Sequence, residues 1–298
     1  MNPQSISIIV PVLHEESTIH EWVEGLLKVL PHNDSSHPLE IIVVDGDPEG
    51  STVGALAEYS STSSDRPAFR TVISPRPGRG TQLNNGALIA SGNIFLFLHA
   101  DTILPIHAIK SIQATLEETE VMGGAFSLGV ASSHWGIRMI ACLTTLRSRL
   151  TRIPYGDQAI FLRREVFERL GGFREIPIME DLDIMRRCRK AGHRIRILRD
   201  RVSSSPRRWE REGLLKCTCR NWWIRTAFLL GVSPEKLVRT YRPHGDPVSP
   251  SQPPPPSTSP SSPSTSLPSP STSPPSGQSS SSHSSPSIDS PPPKLPLR

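Results

Sequence analysis

The sequence predicts an α/β domain built on a mainly parallel, doubly wound sheet, and two observations carry that reading. Short apolar runs alternate with helix-like segments from Ser5 to Asp101, the pattern of strands joined by helical crossovers. Two of those runs, Glu40 to Asp45 and Asn93 to His99, lead straight into carboxylates, Asp45 and Asp101. In open sheets of this class ligands collect outside the carboxyl ends of the strands.

The first strand is Ser5 to Val12. Thr18 and Glu21 have capping-box spacing and start a helix with Ile19, Trp22, Val23, Leu26 and Leu27 on one face. The second strand, Glu40 to Asp45, is followed by a loop of Gly46, Asp47, Pro48, Glu49 and Gly50 and a helix from about Thr52. Phe69 to Ser74 is the third strand; Arg76 and Arg79 lie in the Pro75 to Gly80 loop, and a helix runs from Gln82 to Ala90. Asn93 to His99 has no polar alternation, so it reads as a strand buried on both faces. Right-handed crossovers then bring Asp45 and Asp101 to one crevice. Past Pro105 come a helix to about Glu118, a strand from Gly123 to Val130 and a helical stretch from His134 to Leu150. They are followed by a strand from Gln158 to Leu162, a helix from Glu180 to Ala191, a short strand from Arg194 to Leu198 and two helices within Glu210 to Tyr241. No internal repeat is present.

Composition narrows the class. The chain has 298 residues, 33 of them Lys or Arg and 28 Asp or Glu, for a formal net charge of +5. Most arginines fall between Arg138 and Arg242, which suggests an anionic partner without choosing among nucleic acid, lipid headgroups and phosphorylated small molecules. They are not interleaved with the exposed aromatics of a nucleic-acid module, which argues against nucleic acid. Cys142, Cys188, Cys217 and Cys219 form no C-x-x-C pair, so neither zinc nor a disulfide framework is expected and a reducing, cytoplasmic setting is. No signal-peptide pattern opens the chain. The stretch 214–232 is the most apolar, but Lys216, Arg220 and Arg225 interrupt it; it suits either a helix lying in a membrane interface or one covering the domain. From about Pro243 the chain is nearly all Pro and Ser, so 1–242 is expected to fold as one unit and 243–298 to be a disordered tail or a ligand for proline-binding modules.

Three places have residue types suited to chemistry. Arg79 at a helix start offers a guanidinium beside free backbone N–H groups, a combination that attracts phosphate, although no P-loop or dinucleotide fingerprint is present. Asp101 at a strand end can hold Mg²⁺ or Mn²⁺ against a diphosphate, or merely cap the turn to Pro105. Glu180 and Asp181 open a helix, where the macrodipole favours carboxylates whatever they do; the glycine-rich approach through Gly171 and Gly172 also suits a base delivered into a cleft.

In series these segments resemble the family 2 glycosyltransferases of the GT-A fold over nearly all of residues 5 to 210. Ile8-Ile9-Val10-Pro11-Val12-Leu13-His14-Glu15-Glu16 is similar to the opening strand, Ile42-Val43-Val44-Asp45-Gly46 to the base-binding strand, and Gly78-Arg79-Gly80-x-Gln82-x-Asn84 to the nucleotide loop. Phe97-Leu98-His99-Ala100-Asp101 occupies the metal-motif position. Tyr155-Gly156-Asp157-Gln158, Gly171-Gly172-Phe173 and Met179-Glu180-Asp181 resemble the acceptor half. Leu98 to Asp101, Pro154 to Gln158 and Arg207-Arg208-Trp209-Glu210 look closest to a bacterial subgroup linked with radical-SAM enzymes and arsenosugar biosynthesis.

The resemblance implies inverting transfer of a sugar from a nucleotide-diphosphate sugar to an acceptor hydroxyl on a small or lipid-linked molecule, with Mg²⁺ or Mn²⁺. It implies a donor half over about 1–122 and an acceptor half over about 123–242. Asp181, paired with Glu180, is the expected base. Pro11, Glu15, Asp45, Arg79, Gln82 and Asn84 are expected around the nucleotide sugar, Asp101 and His99 at the metal, and Gly156, Asp157, Gln158, Arg208 and Trp209 around the sugar and acceptor. Two positions depart from the pattern: His99 replaces the first acid of Asp-x-Asp, and the loop from Asp47 to Thr52 has altered spacing. Ser205 stands where a processive member has Gln, which argues against polymerisation. A nucleotidyltransferase would carry a Gly-rich loop and a basic residue after the first strand, where Pro11 and Glu15 stand. A silent sugar-nucleotide-binding or scaffold protein is the rival from another class.

Overall fold

The structure, a computed structural model, describes residues 4–31, 38–60 and 66–241. The expected tail at 243–298 lies outside the described residues. The strands are β1 (Ile6–Val12), β2 (Leu39–Asp45), β3 (Ala68–Ile73), β4 (Ile94–Phe97), β5 (Thr102–Ile103), β6 (Val121–Val130), β7 (Ile160–Arg163) and β8 (Arg194–Ser204). They form one sheet in the order β3-β2-β1-β4-β7-β6-β8-β5. The first four are parallel, as the crossovers require; β7 then runs antiparallel to β4 and to β6, and β8 runs parallel to β6. The sheet is therefore mixed, with its parallel half built by the N-terminal residues.

The helices are α1 (Ile19–Val29), α2 (Ser51–Ala55), α3 (Arg79–Ile89), α4 (Ala108–Glu117), α5 (Trp135–Thr151), α6 (Arg164–Arg169), α7 (Glu180–Lys190), α8 (Arg207–Glu212), α9 (Leu214–Leu229) and α10 (Pro234–Tyr241). Successive residues of the central strands face opposite layers. Ile8 and Val10 pack with Ile19, Val23 and Ile112 of α1 and α4. Ile9 and Phe95 pack with Leu83, Val166 and Ile184 of α3, α6 and α7. This double coverage is why the strands read as continuous apolar runs.

Several local expectations are corrected. Thr18 is the N-cap of α1 but makes no capping bond; its hydroxyl donates 2.7 Å to Glu15 Oε2 instead, so no capping box forms with Glu21. The helix expected at Gln82 starts at Arg79, with Gly78 as N-cap at φ +136°. The strand expected at Gln158 starts at Ile160, because Gly156–Gln158 is a tight 3₁₀ turn. β8 continues past Leu198 to Ser204, since a register shift against β6 accommodates Arg199 and Asp200 and lets Val202 re-enter the core. The short α6 and the two-residue β5 are not predicted by the sequence, and the two helices expected within Glu210 to Tyr241 are three, α8 to α10, because Gly213 at φ +84° breaks the first from the second.

A buried carboxylate ties the back of the sheet together. Glu40 accepts from Ser7 Oγ (2.6 Å), Ser91 N (2.6 Å), Ser91 Oγ (2.8 Å) and Gly92 N (3.3 Å), linking β1 and β2 to the turn before β4. Burial pushes the carboxyl up, but these hydrogen bonds outweigh it and hold the pKa below the ordinary 4.5. A depressed carboxyl stabilises the fold above its unfolded pKa, and that stability is lost as pH falls through the folded value. Glu40→Gln should therefore cost about 2–3 kcal/mol at neutral pH. In thermal melts across a pH series, the gap from wild type should close below about pH 4.5.

Candidate active site

The carboxyl ends of β1, β2 and β4 meet the starts of α3 and α7, and this edge gathers the motif residues. The strand ends are locked by α3. Gln82, 4% exposed, donates from Nε2 to the Val12 carbonyl at 2.7 Å and the Val44 carbonyl at 2.9 Å. Gly46 must be glycine here, because a Cβ would sit 2.9 Å from the Gln82 amide carbon. Asp45 is fully buried; its oxygens accept from Asp47 N (3.0 Å), Thr52 N (2.9 Å) and Val53 N (3.1 Å). Asp47 accepts in turn from Glu49 and Ser51 N–H, and Gly50 enters α2 at φ +67°. The loop with altered spacing is thus a closed, hydrogen-bonded turn. Glu15 N–H donates to Thr52 Oγ1, and Pro11 lies half-buried opposite Val44.

The next residues of α3 point elsewhere. Asn84 Nδ2 donates 2.8 Å to the Phe173 carbonyl, and Phe173 N–H donates 2.9 Å to Asn84 Oδ1. Gly80 allows the same loop to approach, since a Cβ there would lie 2.5 Å from the Arg174 carbonyl oxygen. Phe173 also packs edge-on to Phe97 at 4.8 Å between centroids. Arg187 completes the anchor: it pairs with Asp183 at 2.8 Å and donates to the Leu170 and Gly172 carbonyls. This loop delivers Met179 at φ +69°, a strained backbone for a side-chain-bearing residue, and then Glu180 and Asp181 in the first turn of α7.

Asp181 is held from the opposite side. Gly156 N–H donates 2.6 Å to Asp181 Oδ2, and Leu182 N–H 2.6 Å to Oδ1. A Cβ on Gly156 would stand 2.8 Å from His99 Nε2 and 3.3 Å from Asp181 Oδ2. His99 therefore packs against the Gly156 turn, on the side where that turn meets Asp181. Asp101 is exposed, and its carboxylate accepts from the Thr102 hydroxyl at 3.3 Å. Gln158 is buried and spent internally: its amide donates to the Phe126 carbonyl and its oxygen accepts from Ser148 Oγ and Tyr155 N–H.

Charge is concentrated here. Packing around the Arg79 guanidinium works against its charge, but Glu180, then Asp181 and Asp101, outweigh it and push its pKa up. Glu180, 2% exposed, is pushed up by burial and pulled back by Arg79, whose Nη1 is 3.4 Å away. Burial, then Asp181, raises Asp157 to about 7, with Arg147 opposing. Asp157 Oδ1 is buried without a hydrogen-bond partner, as are Arg147 Nε and Nη1. Arg147 lies 3.6 Å over the Tyr155 ring, and Arg225 acts on both. Orphaned donors and an orphaned carboxylate side by side point to a polar ligand.

Arg147 and Arg225 are not singled out by the sequence as site residues, because single arginines in helices carry no motif; Tyr155 stands in the Tyr155 to Gln158 motif without an expected role of its own. Trp209 is half-buried on α8 with its indole N–H unpartnered, and Arg208 lies on the same helix. Among the described residues no three His, Cys, Asp or Glu side chains form a cage. One exposed carboxylate facing a cleft nevertheless suits Mg²⁺ or Mn²⁺, which take one or two protein oxygens and fill the rest with phosphate and water.

A mixed sheet with its cleft at the parallel strand ends and an acidic helix start opposite defines the GT-A class of transferase fold. Residues 7–171 match the glycosyl transferase family 2 model, and the chain belongs to that family. It is 24% identical over 236 residues to the probable glycosyltransferase YdaM of Bacillus subtilis (strain 168), covering 73% of this chain and 52% of that protein. The chain thus spans about half the length of this curated relative. Among solved structures it is similar to the mannosyltransferase PcManGT from Pyrobaculum calidifontis in complex with GDP-Man and Mn²⁺. The TM-score is 0.59, with 23% identity over 80% of this chain and 65% of that one. It is also similar to S. aureus TarS 1-349 in complex with UDP, with a TM-score of 0.52 and 18% identity over 67% and 60% of the two chains. Both likenesses are of fold.

Two measurements probe this edge. Gly156→Ala should cost about 1–3 kcal/mol by forcing His99 or Asp181 aside. Chemical denaturation should register that loss, while circular dichroism keeps the native spectrum. For Asp157, the folded pKa of about 7 lies above the ordinary 3.8, so the folded state binds the proton better and stability falls as pH rises between those values. Asp157→Asn removes that fall: its melting temperature relative to wild type should climb from pH 5 to pH 8.

Proposed function

We propose that the protein is an inverting glycosyltransferase that moves a sugar from a nucleotide-diphosphate sugar to an acceptor hydroxyl on a small or lipid-linked molecule. The observation that supports this most is Asp181: its carboxylate is fixed by the Gly156 amide and shares a cleft with Arg79, Asp157 and Asp101. Asp181 takes the proton from the acceptor hydroxyl as that oxygen attacks the anomeric carbon. The bond from that carbon to the diphosphate oxygen breaks on the opposite face, which inverts the centre. Arg79 faces the charge that accumulates on the diphosphate, and preorganised charge of this kind is a large part of catalysis.

A divalent cation, Mg²⁺ or Mn²⁺, held by Asp101 with His99 beside it, would supply further neutralisation of the leaving group. Glu180 acts through Arg79, keeping its charge in place. Asp157, with Arg147 and Tyr155, lines the acceptor end, while Asp45, Gln82, Asn84 and Gln158 shape the pocket through backbone hydrogen bonds rather than by contacting ligand. Leu98 to Asp101 and Pro154 to Gln158 favour the radical-SAM-associated subgroup. The donor half is about 1–122 and the acceptor half about 123–242. The protein works in the cytoplasm, touching a membrane through 214–232.

Asp181→Asn should lower turnover about 10²- to 10⁴-fold, the range for a lost general base. Release of nucleoside diphosphate from UDP- and GDP-sugars with Mn²⁺ reads that loss, and calorimetry should show donor affinity unchanged. Full turnover in the variant would reject Asp181 as the base. Donor binding with no product in the wild type across an acceptor screen would instead favour the silent binding protein.

A further inference from the structure

Helix α5 is inside out. Its core-facing residues are Gly136, Ile137, Ala141, Thr145 and Ser148, two of the five polar and only Ile137 a large apolar side chain. Its solvent-facing stripe, at steps of three and four residues, is Trp135, Met139, Leu143, Leu146 and Leu150, all exposed, with Trp135 at 72% and Leu150 at 75%. An ordinary surface helix has the reverse pattern. Leu214, at the start of α9, approaches Gly136 so closely that a Cβ there would lie 2.7 Å from its Cδ2. From α9 onward, Leu215, Trp222, Trp223 and Leu230 add further exposed apolar surface. No described helix is long and apolar enough to cross a membrane.

Beside the α5 stripe, a cleft of about 270 Å³ opens between α5, β6 and β8. Arg138, Arg149, Arg199 and Arg201 line it with Ser127 and Cys142. Arg149 donates 3.0 Å to Ser127 Oγ, and among the described residues none of the four arginines is ion-paired to a carboxylate. Four guanidiniums gathered without an acid, at the margin of a Trp- and Leu-rich stripe, have the composition of a surface that lies in a charged lipid interface. A second copy of the chain is disfavoured as the occupant, because self-association on this patch brings two arginine clusters together. The segment 243–298 has only Val248, Leu267, Ile288, Leu295 and Leu297 as aliphatic residues, too few to cover the stripe.

We propose that the outward face of α5 docks the protein on an anionic lipid bilayer, with headgroup phosphates entering the arginine cleft between α5, β6 and β8. This deepens the membrane contact proposed for 214–232, on which it rests, and does not depend on the transfer reaction. The test is co-sedimentation of the full chain with vesicles of phosphatidylcholine alone and of phosphatidylcholine mixed with phosphatidylglycerol. Binding should require the anionic lipid and weaken as salt is raised. The double substitution Arg199→Glu/Arg201→Glu should reduce it at least about tenfold, since each basic residue near the surface contributes severalfold. Leu143→Ser should reduce it at constant charge, which keeps the proposal testable should the double variant fail to fold. Circular dichroism melts and donor hydrolysis should be unchanged in both. Equal binding to neutral vesicles, or none to either, would overturn the proposal. So would a concentration-dependent dimer, seen by sedimentation velocity, that Leu143→Ser dissolves. Thermal stabilisation by inorganic phosphate that Arg199→Glu/Arg201→Glu abolishes, with no vesicle binding, would overturn it by assigning the cleft to a soluble anion.

Discussion

The reciprocal pairing of Asn84 with the Phe173 backbone is the contact on which the cleft depends. Asn84 belongs to α3, which also carries Arg79 and, through Gln82, clamps the ends of β1 and β2. Phe173 belongs to the loop that supplies Glu180 and Asp181. One side chain with a donor and an acceptor thus fixes the two sides of the cleft relative to each other. Gly172, at φ +69°, is needed for the same reason, since a Cβ would stand 2.7 Å from Asn84 Oδ1. The aromatic stack of Phe97 and Phe167 on Phe173 supplies apolar burial beneath this pair, so the loop is held by packing as well as by hydrogen bonds.

The electrostatics are not those of a site optimised for stability. Glu180 and Asp157 are both pushed up by burial, and Asp181 and Asp101 add like charge around them. Arg79 compensates Glu180 directly, but Asp157 keeps an unpartnered oxygen next to the unpartnered nitrogens of Arg147. An unsatisfied buried polar group costs about 1–3 kcal/mol. His14, Ala159 and Met179 add left-handed backbone at φ +55°, +48° and +69°, each following or preceding an element that ends at the cleft. Strain and unmet hydrogen bonds on one edge of an otherwise well-packed sheet are the signature of a site shaped for a ligand.

The apolar runs made the parallel half of the fold legible, because β1, β2 and β4 are covered on both faces and tolerate nothing else. β8 was harder to read: charged Arg199 and Asp200 look like a strand end, yet a register shift carries the chain back into the core. Motif residues were legible as positions more than as roles. Asp45, Gln82, Asn84 and Gln158 stand in motifs at a cleft, and the sequence does not show that each also bonds backbone groups of the elements around it. The capping box at Thr18 failed through competition, since the Glu15 carboxylate claims the threonine hydroxyl. Arg147 shows the opposite limit. Its meaning comes from Tyr155, eight positions on, and from Arg225 on another helix, and no local pattern encodes that.

Helix α5 connects these themes. Its inner side holds the Tyr155 to Gln158 turn: Ser148 donates to Gln158, Arg147 stacks on Tyr155, and Gly156 of that turn donates to Asp181. Its outer side is the apolar stripe. A surface seated on that stripe lies one helix diameter from the loop that positions the carboxylate, a thickness of about 10–12 Å. The inner side packs Ile137 and Ala141 against the domain and spends Thr145 and Ser148 on hydrogen bonds to Leu128 and Gln158. A bilayer on the outer face, as proposed above, would cover the apolar stripe while leaving untouched the inner-face contacts that hold the Tyr155 to Gln158 turn.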